Sequence, residues 1–128
     1  MEKIEAHKYM IKIIIAGSRT FNNYPLLKKT LDECISNLET DEEIQIVSGG
    51  ARGADKLGER YAKERGYSLK IFPADWDRYG KRAGYIKNAE MAEYADCLAA
   101  FWDNQSKGTK HMIDLAVKHK LKVCVTSF

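Results

Sequence analysis

Short aliphatic runs alternate with amphipathic helical patterns along this chain, and no other feature constrains its fold as strongly. Five runs have the composition of strands, at residues 11–16, 44–47, 68–72, 97–101 and 121–125. The first is almost continuously aliphatic, which is typical of a strand buried on both faces of a parallel sheet. Because four helical patterns separate the five runs, we predict an α/β fold with a doubly wound parallel five-stranded sheet in a single domain.

Length and composition fit that single domain. The chain has 128 residues, and residues 11–128 are assigned to the domain. Residues 1–10 carry two lysines without an apolar segment, so we predict a flexible leader. No apolar run reaches about 18 residues, which predicts no membrane span. The three cysteines, Cys34, Cys97 and Cys124, are interpreted as reduced core residues of a cytoplasmic protein.

Local signals mark the helix ends and one long loop. Asn22 and Asn23 offer N-caps to a first helix, and Gly66 closes a second helix that begins near residue 54. Residues 74–82 mix aromatic and charged side chains without any period, which predicts a long functional loop. A further helix is predicted over 83–94.

The three histidines give no sign of a metal site. His7, His111 and His119 lack the spacing of metal ligands, so we interpret them as surface residues. Neither a metal nor a cofactor is predicted.

Residues 48–55, with the sequence Ser-Gly-Gly-Ala-Arg-Gly-Ala-Asp, lie where the second strand meets the second helix. Glycines let the backbone turn tightly, and the first turn of a helix presents unpaired N–H groups with the positive end of the helix dipole. Arg52 adds a planar cation that suits phosphate. We predict a phosphate-binding loop here, rather than a plain connection, with Asp55 capping the following helix or fixing the loop.

The strand-to-helix loops of a parallel sheet gather along its carboxyl edge, where open α/β folds bind ligands. Cations beside aromatic rings on this edge suit a nucleotide, although the two tryptophans could equally lie in the core or at a dimer contact. The predicted ligand-binding residues on this edge are Gly17, Ser18, Arg19, Thr20, Ser48, Gly49, Gly50, Ala51, Arg52, Gly53, Asp55, Trp76, Trp102, Ser106, Gly108 and Thr109.

Several blocks of the chain resemble the SLOG superfamily of Rossmann-like nucleotide-binding domains, and most closely its YspA-related branch. The blocks are residues 17–21, 48–55, 73–76, 83–92, 100–103 and 106–109. The resemblance implies a Rossmann-like fold and a nucleotide ligand, and it adds Lys87 and Asn88 to the predicted site. Our leading hypothesis is a cytoplasmic sensor or sequestering protein for a nucleotide or nucleotide-derived signal, such as an ADP-ribose-like or cyclic nucleotide.

A first alternative is hydrolysis of a nucleoside monophosphate. Residues 87–92 and 108–109 resemble a segment of the LOG phosphoribohydrolases, in which an arginine and a glutamate serve catalysis. Lys87 falls at the position of that arginine and Met112 at that of the glutamate. A thioether cannot act as an acid or base, and it cannot stabilise a developing positive charge as a carboxylate does in glycosidic cleavage. Glu90, Asp75, Asp103 and Asp114 are candidate substitutes, and the catalytic residues are left unassigned.

A second alternative is binding of single-stranded DNA. Residues 48–55 are similar to the Ser-Gly-x-Ala-Arg-Gly-x-Asp loop of the DprA family of DNA-processing proteins. A net charge of +3 on a small domain argues only weakly for a groove that tracks several phosphates.

Relatives of this type commonly pair through helices, so a homodimer is expected. The face around Met91 and Tyr94 could supply the contact, and ordinary packing of that face on the sheet is an equal alternative.

Overall fold

The computed structural model describes residues 9–128. The predicted leader lies outside the described residues except for Tyr9 and for Met10, which already belongs to the first strand. The elements in chain order are β1 (Met10–Gly17), α1 (Tyr24–Asn37), β2 (Glu43–Ser48), α2 (Ala54–Arg65), β3 (Ser68–Ile71), α3 (Trp76–Tyr79), a 3₁₀ turn (Gly80–Arg82), α4 (Ala83–Tyr94), β4 (Cys97–Trp102), α5 (Lys107–Lys118) and β5 (Lys122–Ser127).

All five strands run parallel in the order β3-β2-β1-β4-β5. The central strand β1 pairs with β2 on one side and β4 on the other, so that Ile13 lies opposite both Ile46 and Cys97. This arrangement confirms the predicted doubly wound α/β fold. The strand order reverses between β1 and β4, and a crevice therefore opens there at the carboxyl edge of the sheet.

Successive side chains of β1 enter two separate cores, as the alternation of a strand requires. Ile13 and Ile15 pack in the core on the side of α1 and α2, to which α1 contributes Leu27 and Leu31. Ile14 packs in the other core, beneath α4 and α5. Both faces of the sheet are thus covered, which explains the continuous aliphatic composition of β1.

The face of α4 considered for a homodimer packs on the sheet instead. Met91 is buried, and the Tyr94 hydroxyl donates to Gln45 Oε1 at 2.5 Å. The Tyr94 ring also contacts Phe72, with a centroid separation of 5.3 Å. The interpretation of this face as ordinary packing is therefore the one that the structure supports.

The structure confirms Asn23, and not Asn22, as the cap of α1 and Gly66 as the end of α2, but it corrects the loop at 74–82. The Asn23 side chain accepts the Leu26 N–H at the start of α1, and Gly66 ends α2 in the left-handed conformation with φ of 72°. In the segment predicted as a long functional loop, Asp75 Oδ1 accepts the Arg78 N–H at 3.1 Å. This cap stabilises the short helix α3, whose four residues are too few to show a hydrophobic period.

The cysteines are free thiols, and only Cys97 is fully buried. Cys34 and Cys124 are half-buried, with their sulfurs 3.5 Å apart. His111 is also half-buried, against the prediction of a surface position, because it packs between α4 and α5. Within residues 9–128, no helix is long and apolar enough to cross a membrane.

Candidate ligand-binding site

The loops that follow β1 and β4 are tied together at the crevice. The Ser18 N–H donates to the Phe101 carbonyl at 2.9 Å, and the Ser18 hydroxyl accepts the Asp103 N–H at 3.2 Å. A Cβ on Gly17 would collide with the Phe101 carbonyl oxygen, so this close approach requires glycine. Ser18 is buried by these contacts, and it positions the loops rather than facing the crevice.

The glycine-rich loop packs against the loop after β1. Gly53 has a φ of +81°, and a Cβ there would lie 2.5 Å from the Ser18 carbonyl oxygen. The buried Ser48 hydroxyl donates to Glu59 Oε2 at 2.7 Å and accepts the Gly50 N–H at 3.0 Å. Ser48 and Gly53 therefore fix the conformation of this loop without lining a cavity themselves.

Asp55 fixes the same loop and does not cap α2. Its Oδ2 accepts the Ala51 N–H at 3.2 Å, whereas the N-cap residue Gly53 has no side chain to offer. Burial raises the pKa of the Asp55 carboxyl to about 6, although the nearby Lys87 charge and the Ala51 N–H act in the opposite direction. The Asp55 side chain therefore provides an acidic group with a pKa of about 6 at the edge of the sheet where the strands end.

The first turn of α5 forms the opposite wall of the crevice. The Ser106 hydroxyl accepts the Thr109 N–H at 3.4 Å, and Asp103 Oδ1 accepts the N–H groups of Gln105 and Ser106 at 2.9 and 2.8 Å. The N–H donors of Ser106 and Gln105 hold the pKa of the Asp103 carboxyl below its usual range. These contacts fix the backbone that leads into the helix.

Asn88 joins α4 to this turn. Its side-chain nitrogen donates to the Gly108 carbonyl at 3.2 Å and lies 3.1 Å from His111 Nδ1. Burial lowers the pKa of His111 and so favours the neutral ring, which accepts at Nδ1 when its proton is on Nε2. The Asn88 amide is therefore held in one orientation at the pocket wall.

These loops enclose a cavity of about 280 Å³, which we term the central pocket. It is lined by Ala16, Gly17, Arg19, Ala51, Asp55, Trp76, Lys81, Gly84, Tyr85, Lys87, Asn88, Met91, Ser106, Gly108, Thr109 and Met112. Three of these side chains are cationic and one is acidic. Lys87 Nζ donates to the Gly49 carbonyl at 3.2 Å, while Arg19 and Lys81 have no ion pair within residues 9–128.

A second cavity of about 550 Å³, the outer groove, lies beside the central pocket. Its lining residues are Arg19, Gly49, Gly50, Ala51, Arg52, Lys56, Ile71, Pro73, Ala74, Trp76 and Lys87. Four of them, Arg19, Ala51, Trp76 and Lys87, line the central pocket as well. The two cavities therefore meet along a shared boundary.

The residues predicted from the sequence fall into three groups. Those that line the central pocket are Gly17, Arg19, Ala51, Asp55, Trp76, Lys87, Asn88, Ser106, Gly108 and Thr109. Those that line only the outer groove are Gly49, Gly50 and Arg52. Those that line neither cavity are Ser18, Thr20, Ser48, Gly53 and Trp102. The Trp102 indole N–H instead donates to the Ser106 carbonyl at 3.1 Å, which fixes the loop before α5.

Several lining residues escaped the sequence analysis. Tyr85 lines the central pocket, and Lys56 and Ile71 line the outer groove; Lys81, which also lines the central pocket, belongs to the predicted functional loop but not to the predicted ligand-binding residues. The signal for Lys81 and Tyr85 was their place shortly after Trp76, in the segment that leads from β3 into α4.

The candidate substitutes for a catalytic glutamate do not reach the pocket. Glu90, Asp75, Asp103 and Asp114 line neither cavity, and Met112 is buried at the wall of the central pocket. Asp55 is the acidic residue that lines it. Within residues 9–128 no group of three or more His, Cys, Asp or Glu residues has a geometry that could hold a metal ion.

Comparison with known proteins identifies a family, a curated relative and solved structures with a similar fold. A model of the YspA, cpYpsA-related SLOG family matches residues 11–79. The gene 61 protein of Mycobacterium phage D29 is 32% identical over 120 residues, which cover 89% of this chain and 94% of the phage protein. Among solved structures, DNA processing protein A (DprA) from Streptococcus pneumoniae is similar with a TM-score of 0.70 and 18% identity.

The DprA match shows a shared fold over part of a longer protein. It covers 91% of this chain but 50% of the DprA chain. A predicted subunit of a tRNA methyltransferase from Methanocaldococcus jannaschii is a weaker match, with a TM-score of 0.42 and 13% identity over 91% of this chain and 66% of the other.

Proposed function

This chain belongs to the YspA, cpYpsA-related SLOG family, and on that premise we propose that it binds a nucleotide or a nucleotide-derived signalling ligand in the central pocket. One observation carries the proposal: cationic side chains and exposed aromatic rings line the same small cavity. Arg19 and Lys81 have no ion pair within residues 9–128, and Lys87 donates to the Gly49 carbonyl and lies near Asp55 without forming a salt bridge to it. Clustered cations of this kind attract an anion.

The phosphate group is assigned to the side of the pocket formed by α5. The first N–H groups of this 12-residue helix have no partner within the helix itself, and they add the positive end of its dipole to the charges of the three cations. Gly108 leaves this turn open, since a Cβ there would meet no atom within 4 Å.

The base and the sugar are assigned to the remaining walls. Trp76 and Tyr85 are 54% and 49% exposed, so each has a ring surface free for stacking against a base. Asp55 accepts hydrogen bonds when it is ionised, which suits the hydroxyl groups of a ribose. A pocket of about 280 Å³ is small for a ligand site, and one nucleoside monophosphate is of a matching size.

A thermal-shift screen tests the proposal. The purified chain would be melted with nucleoside monophosphates, ADP-ribose, NAD, cyclic mono- and dinucleotides, and a short oligonucleotide. A ligand at a hundredfold excess over Kd stabilises the folded state by about 2.7 kcal/mol, which raises Tm by several degrees. We expect a selective shift that Lys81→Gln reduces and that Lys118→Gln, a change on the exposed far end of α5, leaves unchanged. A screen without any shift would contradict the proposal.

Hydrolysis of the N-glycosidic bond is a second candidate, and Asp55 is the observation that favours it. A buried carboxyl group with a pKa of about 6 is suited to general acid–base catalysis near neutral pH. In this candidate, Asp55 takes the role that Met112 cannot fill. Free base should then appear on chromatography after incubation with a bound monophosphate, and Asp55→Asn should bind the nucleotide without releasing base. If the unaltered protein binds the nucleotide and releases no base, the hydrolysis candidate fails and the binding function stands.

A further inference from the structure

We propose that the outer groove is a second phosphate-binding subsite continuous with the central pocket, and that the ligand is a dinucleotide carrying two phosphates. This inference rests on the proposed function and specifies its ligand class. One nucleotide occupies the central pocket with its phosphate at α5. The second nucleotide crosses the boundary at Trp76 and places its phosphate beside Arg52.

The charge of the outer groove supports this assignment. Four of its lining residues are cationic and none is acidic, whereas the central pocket includes Asp55. Arg52 is exposed and has no ion pair within residues 9–128. Lys56 lies 3.4 Å from Glu59, so one of the four cations has a carboxylate neighbour, but the Lys56 side chain itself is 58% exposed. The groove is therefore the more favourable of the two cavities for a second anion.

The apolar surface follows the same path. Ile71, Trp76 and Tyr85 are 43%, 54% and 49% exposed, and together they extend from the outer groove across the boundary into the central pocket. Adjacent exposed apolar side chains commonly mark a binding surface. Two bases, one beside Tyr85 and Trp76 and the other beside Ile71, would cover them.

The glycine-rich loop lies beside the boundary between the cavities. A Cβ on Gly49 would lie 2.6 Å from Lys87 Nζ and 2.9 Å from Asp55 Oδ2, so glycine here leaves room for both side chains. Gly50 has a φ of +77° and stands over Ile71, where a Cβ would meet Cγ2 at 3.5 Å. Lys87 lines both cavities, so it can contact a ligand that crosses the boundary between them.

Size separates a dinucleotide from a mononucleotide. The central pocket, at about 280 Å³, falls at the lower limit of ligand pockets, which span roughly 300–1,000 Å³. The adjoining groove has about 550 Å³, which is room for a second nucleotide. A mononucleotide in the central pocket would leave Arg52 and Lys56, the two cations that line only the groove, without a ligand contact.

Isothermal titration calorimetry with matched ligands tests the inference. The ligands are adenosine monophosphate, the one-phosphate dinucleotide ApA, its 5′-phosphorylated form pApA and cyclic di-adenylate, with the corresponding guanine, cytosine and uracil series. The proteins are the unaltered chain, Arg52→Gln in the groove and Lys81→Gln in the central pocket. We expect a two-phosphate dinucleotide to bind at least tenfold more tightly than its mononucleotide. Arg52→Gln should remove this advantage without changing mononucleotide affinity, and Lys81→Gln should weaken both ligands.

The outcomes separate this inference from the proposed function. If mononucleotides bind and Arg52→Gln leaves every dinucleotide affinity unchanged, the inference fails and the proposed function stands. If no nucleotide of any series binds, the proposed function itself fails. If a twelve-residue oligothymidylate binds more tightly than every dinucleotide, with affinity that falls steeply in salt and depends on Arg52, the groove holds a strand and the inference is overturned. Arg52 is exposed, so Arg52→Gln should fold, and its circular dichroism and Tm would confirm this.

Discussion

The Asp55 carboxylate accepts the Ala51 backbone N–H at 3.2 Å, so the glycine-rich loop already holds an anionic group of its own chain. The neighbouring Gly50 N–H already donates to the Ser48 hydroxyl at 3.0 Å, so it too is engaged within the protein. Donors that the sequence suggested for a ligand phosphate thus stabilise the loop itself. The phosphate binding that we propose would consequently depend on side-chain cations and on α5.

The raised pKa of Asp55 predicts a specific dependence of stability on pH. The pKa of an aspartate carboxyl is ordinarily 3.8, and that of Asp55 in the folded state is about 6. Both states are protonated below pH 3.8, and between pH 3.8 and 6 the unfolded state ionises first, so the folded state loses stability as pH rises. Asp55→Asn removes this loss. In urea unfolding, the free energy of unfolding of the variant should therefore rise relative to that of the unaltered protein between about pH 4 and pH 7, by up to about 3 kcal/mol.

Asp103→Asn is the control with the opposite sign. Backbone N–H donors lower the pKa of Asp103, so its carboxylate contributes stability above the unfolded pKa and loses it as pH falls through the folded pKa. This variant should be less stable than the unaltered protein at pH 7, with a difference that shrinks in acid. Parallel pH profiles for Asp55→Asn and the unaltered protein would contradict the burial argument.

Gly53→Ala should destabilise the fold. The residue has a φ of +81°, and a Cβ added to it would lie 2.5 and 2.6 Å from the backbone oxygens of Ser18 and Arg19. The left-handed conformation and the steric overlap together should cost more than about 2 kcal/mol. Chemical denaturation would measure this free energy of unfolding.

Gly108→Ala is the matched control for the glycine substitution. A Cβ at Gly108 meets no atom within 4 Å, and the residue lies in the first turn of α5. Alanine favours a helix over glycine by about 0.5–1 kcal/mol, so the change should be neutral or stabilising. Equal losses in both glycine variants would show that the contact with Ser18 has no special role.

Sequence patterns predicted the fold well because strands and helix ends depend on local chemistry. The aliphatic run of β1, the Asn23 cap and the terminal Gly66 each act within a few residues of their own position. The residues around the site were less predictable, since side-chain direction depends on tertiary contacts. The Ser48 side chain points inward because its hydroxyl donates a hydrogen bond to Glu59, which lies in the following helix α2. Lys81 belongs to the pocket because α3 and the following turn bring it there.

Asp32 accepts a hydrogen bond from a buried hydroxyl and forms a bidentate ion pair with an arginine. Replacing Asp32 should therefore lower the free energy of unfolding. Asp32 accepts from the Tyr61 hydroxyl at 2.6 Å and from Arg65 Nε and Nη2 at 3.1 and 2.5 Å. Asp32→Ala leaves the fully buried Tyr61 without its acceptor, which should cost about 1–3 kcal/mol in urea unfolding. Arg65 lowers the pKa of Asp32, so the difference from the unaltered protein should diminish as pH falls through the folded pKa.

Asp114→Ala provides the comparison for Asp32. Asp114 pairs with Lys110 at 2.9 Å, but both side chains are 62% exposed. An exposed pair at this helical spacing contributes no more than about 0.5 kcal/mol. A loss at Asp114 as large as that at Asp32 would show that burial of the Tyr61 hydroxyl does not determine the cost.

The two tryptophans should respond differently to a nucleotide. Trp76 is 54% exposed at the boundary of the two cavities, whereas the Trp102 indole N–H is bound to the Ser106 carbonyl and lines neither cavity. A base stacked on Trp76 should quench its fluorescence, and the contact is worth about 1–3 kcal/mol. Titration of Trp102→Phe should therefore retain the ligand-dependent quenching, and Trp76→Phe should lose it while still binding by calorimetry, since phenylalanine keeps a ring. Trp76→Ala should weaken binding by roughly five- to 150-fold. Quenching that survives in Trp76→Phe and disappears in Trp102→Phe would place the base at the loop before α5, away from the boundary between the cavities.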